Sequence, residues 1–211
     1  MAFQRARTEE QIASRQEEII TACDTIYREK GYEAVHFKAV SKMTSISRPT
    51  IYNYYKTKEE IFLDILKRGF TNWTEELKAH FATTPKMTKE EFCAFLADSL
   101  LKHEKYFELL AVYIQPIEMN SSLEKLTAFK ESMQSFPGIF LEGLDKYFPD
   151  AKDEDKRKFM RYFIISVHGI FPLTHLSKKQ IQASKKVNPE YKVPNFRQIC
   201  FDVLLLLMAN L

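Results

Sequence analysis

The sequence predicts an all-α protein with a small helix-turn-helix head, a connecting helix and a larger α-helical body, about nine helices in all. Three observations predict it. Apolar residues recur at three- and four-residue spacing along most of the 211 residues. Glycine is scarce, at 5 residues, whereas sandwiches and barrels need many glycine turns. The stretch Gly31–Lys58 reads as two short helices around a polar turn, with Lys38, Lys42, Arg48, Lys56 and Lys58 and no acidic residue after Glu33. The whole chain carries a formal net charge of only +3, so its positive charge is concentrated there. Tyr52, Asn53, Tyr54 and Tyr55 sit among those cations, a mixture that suits phosphates and base edges.

The elements follow in order. Ile12, Ile19, Ile20, Cys23, Ile26 and Tyr27 mark a first helix over 9–30, with Gly31 as its stop. A second helix over 37–44 buries Phe37, Val40 and Met43, and Thr44–Ser47 makes the turn. Ser47 caps a third helix running to about Tyr54, with Pro49 in its first turn, where a missing N–H costs little. Thr57-Lys58-Glu59-Glu60 supplies a capping box for a fourth helix reaching Phe81. Beyond Pro85, helices are expected at 88–103, 105–117, 121–147, 153–175 and 196–211, punctuated by prolines. Residues 178–194 are polar, contain two prolines and read as a surface loop.

In a helix-turn-helix the supporting helix crosses the backbone while the second enters the major groove. Ile46 and Ile51 face inward; the outward residues are candidates for the duplex. Arg48 can pair with guanine O6/N7 and Asn53 with adenine N6/N7. Pro49 either touches a thymine methyl or only starts the helix. Thr50, Tyr52, Tyr54, Lys56 and Lys58 are candidate phosphate anchors, Lys38 and Lys42 reach from the supporting helix, and Arg5 and Arg7 form a minor-groove arm.

Gly31-Tyr32, Val40-Ser41 and the run from Ile46 to Glu60 resemble the DNA-binding domain of TetR-type regulators, over about residues 13–73 with the motif at 36–55. That pattern ends the third helix with an aromatic pair and a lysine, here Tyr54-Tyr55-Lys56, before a Thr-Lys-Glu helix start. Two positions depart from it: Ser45 stands where the family often has Gly, and Val35-His36 where Ser or Thr usually caps the second helix. The resemblance implies an obligate homodimer that represses transcription at a palindromic operator until a small molecule binds the C-terminal body. The division is then an arm and DNA-binding head at 1–57, a connecting helix at 58–81 and an effector-binding and dimerisation body at 82–211.

The resemblance further implies that the last two long helices form a four-helix dimer bundle. In this chain 196–211 is apolar almost all round and so needs cover on more than one side. Phe163, Val167, Ile170, Phe201, Leu204, Leu205 and Met208 are the candidate interface. Tyr106, Tyr113, Met133, Phe136, Phe140, Phe163, His168 and Phe171 are candidates to line a cavity for a small hydrophobic or aromatic effector. Pro172 leaves the His168 carbonyl without its donor, which loosens the helix there.

No Gly-rich phosphate loop, HExxH, serine elbow or paired-carboxylate motif occurs, which disfavours an enzyme. His168 and His175 share a face but lack further ligands nearby in sequence, so neither metal nor cofactor is expected. Three scattered cysteines read as buried hydrophobes in a reducing cytoplasm, and no run is long enough to span a bilayer. The competing reading is an architectural or activating DNA-binding protein with no small-molecule effector.

Overall fold

The computed structural model describes residues 8–211 and contains no strand among them; the arm residues Arg5 and Arg7 lie outside the described residues. The described residues form two compact units, one of residues 8–68 with 115–132, the other of 69–114 with 133–211.

In the first unit, α1 (Glu9–Lys30) starts at Thr8, whose hydroxyl accepts the Gln11 N–H, and stops at Gly31, whose φ of 84° a side chain would resist. A 3₁₀ turn (Tyr32–Ala34), α2 (Phe37–Lys42) and α3 (Arg48–Ile51) follow. Ile19, Cys23, Ile26 and Tyr27 of α1 are buried with Val40, Ile46 and Ile51. Phe62, near the start of α4 (Lys58–Thr83), stacks on Tyr32 at 4.6 Å and takes Tyr27 edge-on at 5.7 Å. α7 (Ile114–Met119) and α8 (Leu123–Ser132) complete the unit, except that Ile114 counts with the second.

Both departures from the family pattern have local explanations. Ser45 has no left-handed backbone; its N–H donates to Glu18 Oε1 at 2.5 Å and its Oγ accepts from Arg15 at 2.6 Å. The turn is thus fastened to α1 instead of being relaxed by glycine. His36 caps α2 itself, its Nδ1 accepting the Ala39 N–H at 3.0 Å.

The second unit holds α5 (Lys89–Lys102), α6 (Glu104–Glu108), a π-wound turn (Leu109–Tyr113), α9 (Phe136–Tyr147), α10 (Asp153–Thr174), α11 (Lys178–Val187) and α12 (Phe196–Leu207). α12 packs on α5 and α10, and α10 also meets α9 and the π turn. Cys93 and Cys200 are buried here and Cys23 in the first unit. Burial pushes the Cys93 and Cys200 thiols up to about 12, which keeps them protonated and inert.

Four expectations are corrected. Met43, expected inside, is exposed, because α2 ends at Lys42 and Met43 already belongs to the turn. The helix expected at 105–117 is wound as π over Leu109–Tyr113, upstream of Pro116, which has no N–H to return to Val112. The helix expected at 121–147 is two helices, because Pro137 is tolerated only in the opening turn of α9. The expected loop at 178–194 contains α11, whose start is a capping box between Ser177 and Gln180.

Candidate nucleic-acid interface

The outward side of the helix-turn-helix forms a groove of about 500 Å³ lined by His36, Phe37, Lys38, Arg48, Tyr52, Lys56, Thr57, Lys58 and Glu59. Five of the sequence candidates therefore converge: Lys38, Arg48, Tyr52, Lys56 and Lys58. Pro49 and Asn53 are exposed on α3 and the turn after it, while Thr50 and Tyr54 are half-buried.

The structure gives these side chains unequal freedom. Arg48 is exposed; it reaches Tyr52 Oη at 3.4 Å and lies 5.9 Å from that ring's centroid, one helical turn away. Tyr52 in turn sets its ring edge-on to Phe37 at 4.7 Å. Lys56 donates to the Tyr52 carbonyl at 3.2 Å, capping the recognition segment. Lys58 is the most committed: its ammonium sits 4.1 Å from the Tyr32 ring centroid, 3.4 Å from the Tyr32 carbonyl and 3.9 Å from Glu33. Thr50 Oγ1 is engaged with Ser47 Oγ at 2.8 Å, inside the cap of α3. Tyr55 does not join the cationic surface. It is buried and donates its hydroxyl to Asp64 at 2.7 Å, and burial with that carboxylate pushes its phenol far above the ordinary range.

Sequence reasoning passes over two contributors. His36 lines the groove as well as capping α2. Glu60 is buried and holds the turn after α3, accepting the Lys56 N–H at 2.7 Å. Burial alone would raise the Glu60 carboxyl, but hydrogen bonds from Lys56 and Ser122 and the Lys125 charge outweigh it, and the net shift is downward.

In the second unit, Phe136, Phe140 and Phe163 do come together, with centroids 5.2 Å and 5.0 Å apart, around Trp73, whose indole stacks on Phe136 at 5.3 Å. Phe107 meets Trp73 edge-on at 5.1 Å and Tyr106 at 4.8 Å, and Trp73 donates its N–H to Ser99 at 2.9 Å. Trp73 is the residue the pattern left out. Phe171 belongs to a different group, stacked on His175 at 3.8 Å and beside Phe196. His168 is half-exposed and bonds back to the Ile164 carbonyl at 2.8 Å, while Tyr113 and Met133 are half-buried. His175 pairs with Glu104 at 2.7 Å.

The expected interface residues are mostly elsewhere. Phe163, Val167, Ile170, Leu204 and Met208 are buried in the chain's own core, and Phe201 and Leu205 are half-buried. Among the apolar residues left in the open are Tyr162, Ile164, Ile165 and Leu173 on α10 and Leu206 on α12, at 47%, 39%, 59%, 67% and 76% exposure.

A helix-turn-helix head with a cation-lined groove, joined through α4 to an all-helical second unit, defines a DNA-binding regulator. Residues 19–65 match the family of bacterial regulatory proteins, tetR family, and residues 67–209 match the tetracyclin repressor-like C-terminal domain. The chain belongs to the TetR family of transcriptional regulators. It is 26% identical over 195 residues to the HTH-type transcriptional regulator QacR of Staphylococcus aureus, covering 89% of this chain and 97% of QacR. The fold resembles the fatty acid degradation regulator FadR of Bacillus halodurans, with TM-score 0.56 at 13% identity over 98% of this chain and all of that one. It also resembles FadR of Bacillus subtilis, solved in complex with stearoyl-CoA, with TM-score 0.53 at 18% identity over 92% and 98% of the two chains. Among the described residues no helix is long and apolar enough to cross a membrane.

Proposed function

We propose that this regulator is a cytoplasmic, ligand-released repressor that reads a palindromic operator as a homodimer. The observation that carries the reading is the groove in which Lys38, Arg48, Lys56 and Lys58 surround the exposed face of the recognition segment. Arg48 and Asn53 read base edges, and Lys38, Tyr52 and Lys56 hold phosphates. Lys58 contributes charge from beneath rather than a free-swinging contact, because Tyr32 holds its ammonium.

The dimer is supported by Tyr162, Ile165 and Leu173, which recur along one side of α10, and by Leu206 on α12. Four large exposed apolar side chains on two neighbouring helices are what a second copy covers economically. The effector is a hydrophobic molecule. Its site is the aromatic nest of Trp73, Phe107, Phe136, Phe140 and Phe163, whose rings it parts on entry. The stearoyl-CoA held by the Bacillus subtilis neighbour makes a long acyl chain the first probe to try.

Selection of bound duplexes from a random DNA pool at physiological salt tests this. The expected product is a palindrome with half-sites about one turn apart, roughly 34–36 Å. Salt-sensitive binding with no enriched sequence would instead support an architectural protein.

A further inference from the structure

The DNA-binding head is not built from the N-terminal stretch alone. Residues 115–132 count with it, and their α7–α8 corner is stitched to the turn that follows the recognition helix. Thr57 Oγ1 donates to the Asn120 carbonyl at 2.9 Å. The same hydroxyl accepts the Glu60 N–H at 3.3 Å, so it caps α4 and grips the corner together. Glu60, at 3% exposure, spends one carboxylate oxygen on the Lys56 N–H at 2.7 Å and the other on the Ser122 N–H at 3.3 Å. One turn further along α4, Asp64 accepts from Tyr55 Oη at 2.7 Å and from Lys125 Nζ at 3.4 Å, and that ammonium also lies 4.8 Å from the Tyr55 ring centroid. A Lys130–Glu118 ion pair joins α8 to α7, and Asn120 Nδ2 donates to the Pro116 carbonyl at 2.8 Å.

Two of these contacts serve both the groove and the corner. Lys56 and Thr57 line the DNA groove, and both are positioned by groups that simultaneously hold the corner. A carboxylate whose two oxygens each hold one N–H donor is oriented by the pair and loses that fixed orientation when one donor leaves. Undocking the corner therefore acts on the Lys56–Glu60 bond through the same carboxylate. The corner is also covalently continuous with the π-wound turn Leu109–Tyr113 of the second unit. A π turn holds its residues in an i to i+5 winding from which an α winding differs by a single register step.

We propose that the α7–α8 corner is a latch on the recognition element, with Glu60 and Lys125 as the positioning residues that keep Lys56 and Thr57 in the DNA-reading arrangement only while the corner is docked. This rests on the reading of the chain as a ligand-responsive regulator and names a route by which its second unit controls the DNA surface. The route runs through Gln115–Ser132 in addition to α4.

The test uses the full-length protein and two variants outside the groove. Lys125→Met removes the ammonium that faces Asp64 and Tyr55, and Ser122→Pro removes the N–H that Glu60 accepts. Hydrogen exchange is read at the Lys56 amide without DNA, and binding is then read on duplexes with altered half-site spacing. Each variant is expected to speed Lys56 exchange by about tenfold, the factor carried by roughly 1.4 kcal/mol, and to bind spacings the wild type rejects. Lys125→Arg, which keeps the charge, restores the wild-type exchange rate. Faster exchange confined to 118–126 with Lys56 unchanged would overturn the latch. Should Ser122→Pro fail to fold, Lys125→Met decides alone. If the wild type selects no palindrome, the regulator reading fails, while the Lys56 exchange rates of wild type and variant still support or overturn the latch.

Discussion

Replacing Ile165 by glutamate puts a carboxylate in the middle of the open stripe on α10. Ile165 keeps 59% of its surface exposed in the single chain. Full burial of an isoleucine side chain contributes roughly 1.5–3 kcal/mol, so about 1–2 kcal/mol remains to be gained when a second copy covers it. A twofold interface contains the residue twice, which brings the loss to about 2–4 kcal/mol before any cost of desolvating the new charge. The dimer dissociation constant should rise by about 30- to 700-fold, at 1.4 kcal/mol per tenfold. Sedimentation velocity over a dilution series reads this directly, and operator affinity should fall with it while the circular dichroism of the folded chain stays. Leu204→Asp is the contrast: Leu204 lies in the chain's own core, so this variant loses its fold rather than its partner. An Ile165→Glu protein that remains dimeric at every concentration would refute the placement of the interface on this stripe.

Three further outcomes are expected. Arg48→Ala and Asn53→Ala should each relax sequence preference at one position by about 1–3 kcal/mol, seen as converging affinities for selected and scrambled duplexes. Lys38→Ala should weaken both duplexes alike and lower the slope of log affinity against log salt by about 0.9. Gly143→Ala should lower the melting temperature by several degrees, because a Cβ there would sit 2.5 Å from Phe81 Cε2 and overpacking costs about 1–3 kcal/mol.

The pH behaviour of the head follows from Glu60. Its pKa is lowered on folding, so the stabilisation is complete above the ordinary carboxylate value and is lost as pH falls through the lowered one. Acid unfolding of the head, followed by the NMR signals of its buried residues Ile19 and Ile51, should therefore lose part of its pH dependence in Glu60→Gln; an unchanged acid transition would contradict this.

The recognition segment is legible in the sequence because its determinants are local. Ser47, Pro49, the inward Ile46 and Ile51, and the cations between Lys38 and Lys58 all lie within one short stretch. Helices α1, α4, α5, α10 and α12 are legible because each buries an apolar stripe of helical period. The breaks inside 105–147 are harder to place. Pro116 and Pro137 mark them, but a proline in the sequence can end a helix, begin one or sit within a turn of altered winding. α11 is hidden for a related reason: it buries nothing, so only its Ser177–Gln180 cap signals it.

Long-range features are the least legible. Glu60 and Ser122 are 62 residues apart, and nothing in either neighbourhood announces that they meet. The same limit applies to α10 and α12. Apolar residues around a helix call for cover on several sides but do not say which side the chain covers itself. Phe163, Val167 and Leu204 go inward, while Ile165 and Leu206, of the same chemical kind, stay outside. The effector nest is partly legible for the opposite reason: Phe136, Phe140 and Phe163 share helical faces, but Trp73 joins them from α4, well before them in the chain.

The measurement that bears most directly on the central claim is the affinity of the purified protein for its selected duplex against a scrambled duplex of equal length, at physiological salt. A reader of bases working through Arg48 and Asn53 should prefer the selected duplex by about a thousandfold or more. It should also bind as two chains per duplex. A ratio near one, with binding that merely tracks salt, would contradict the account.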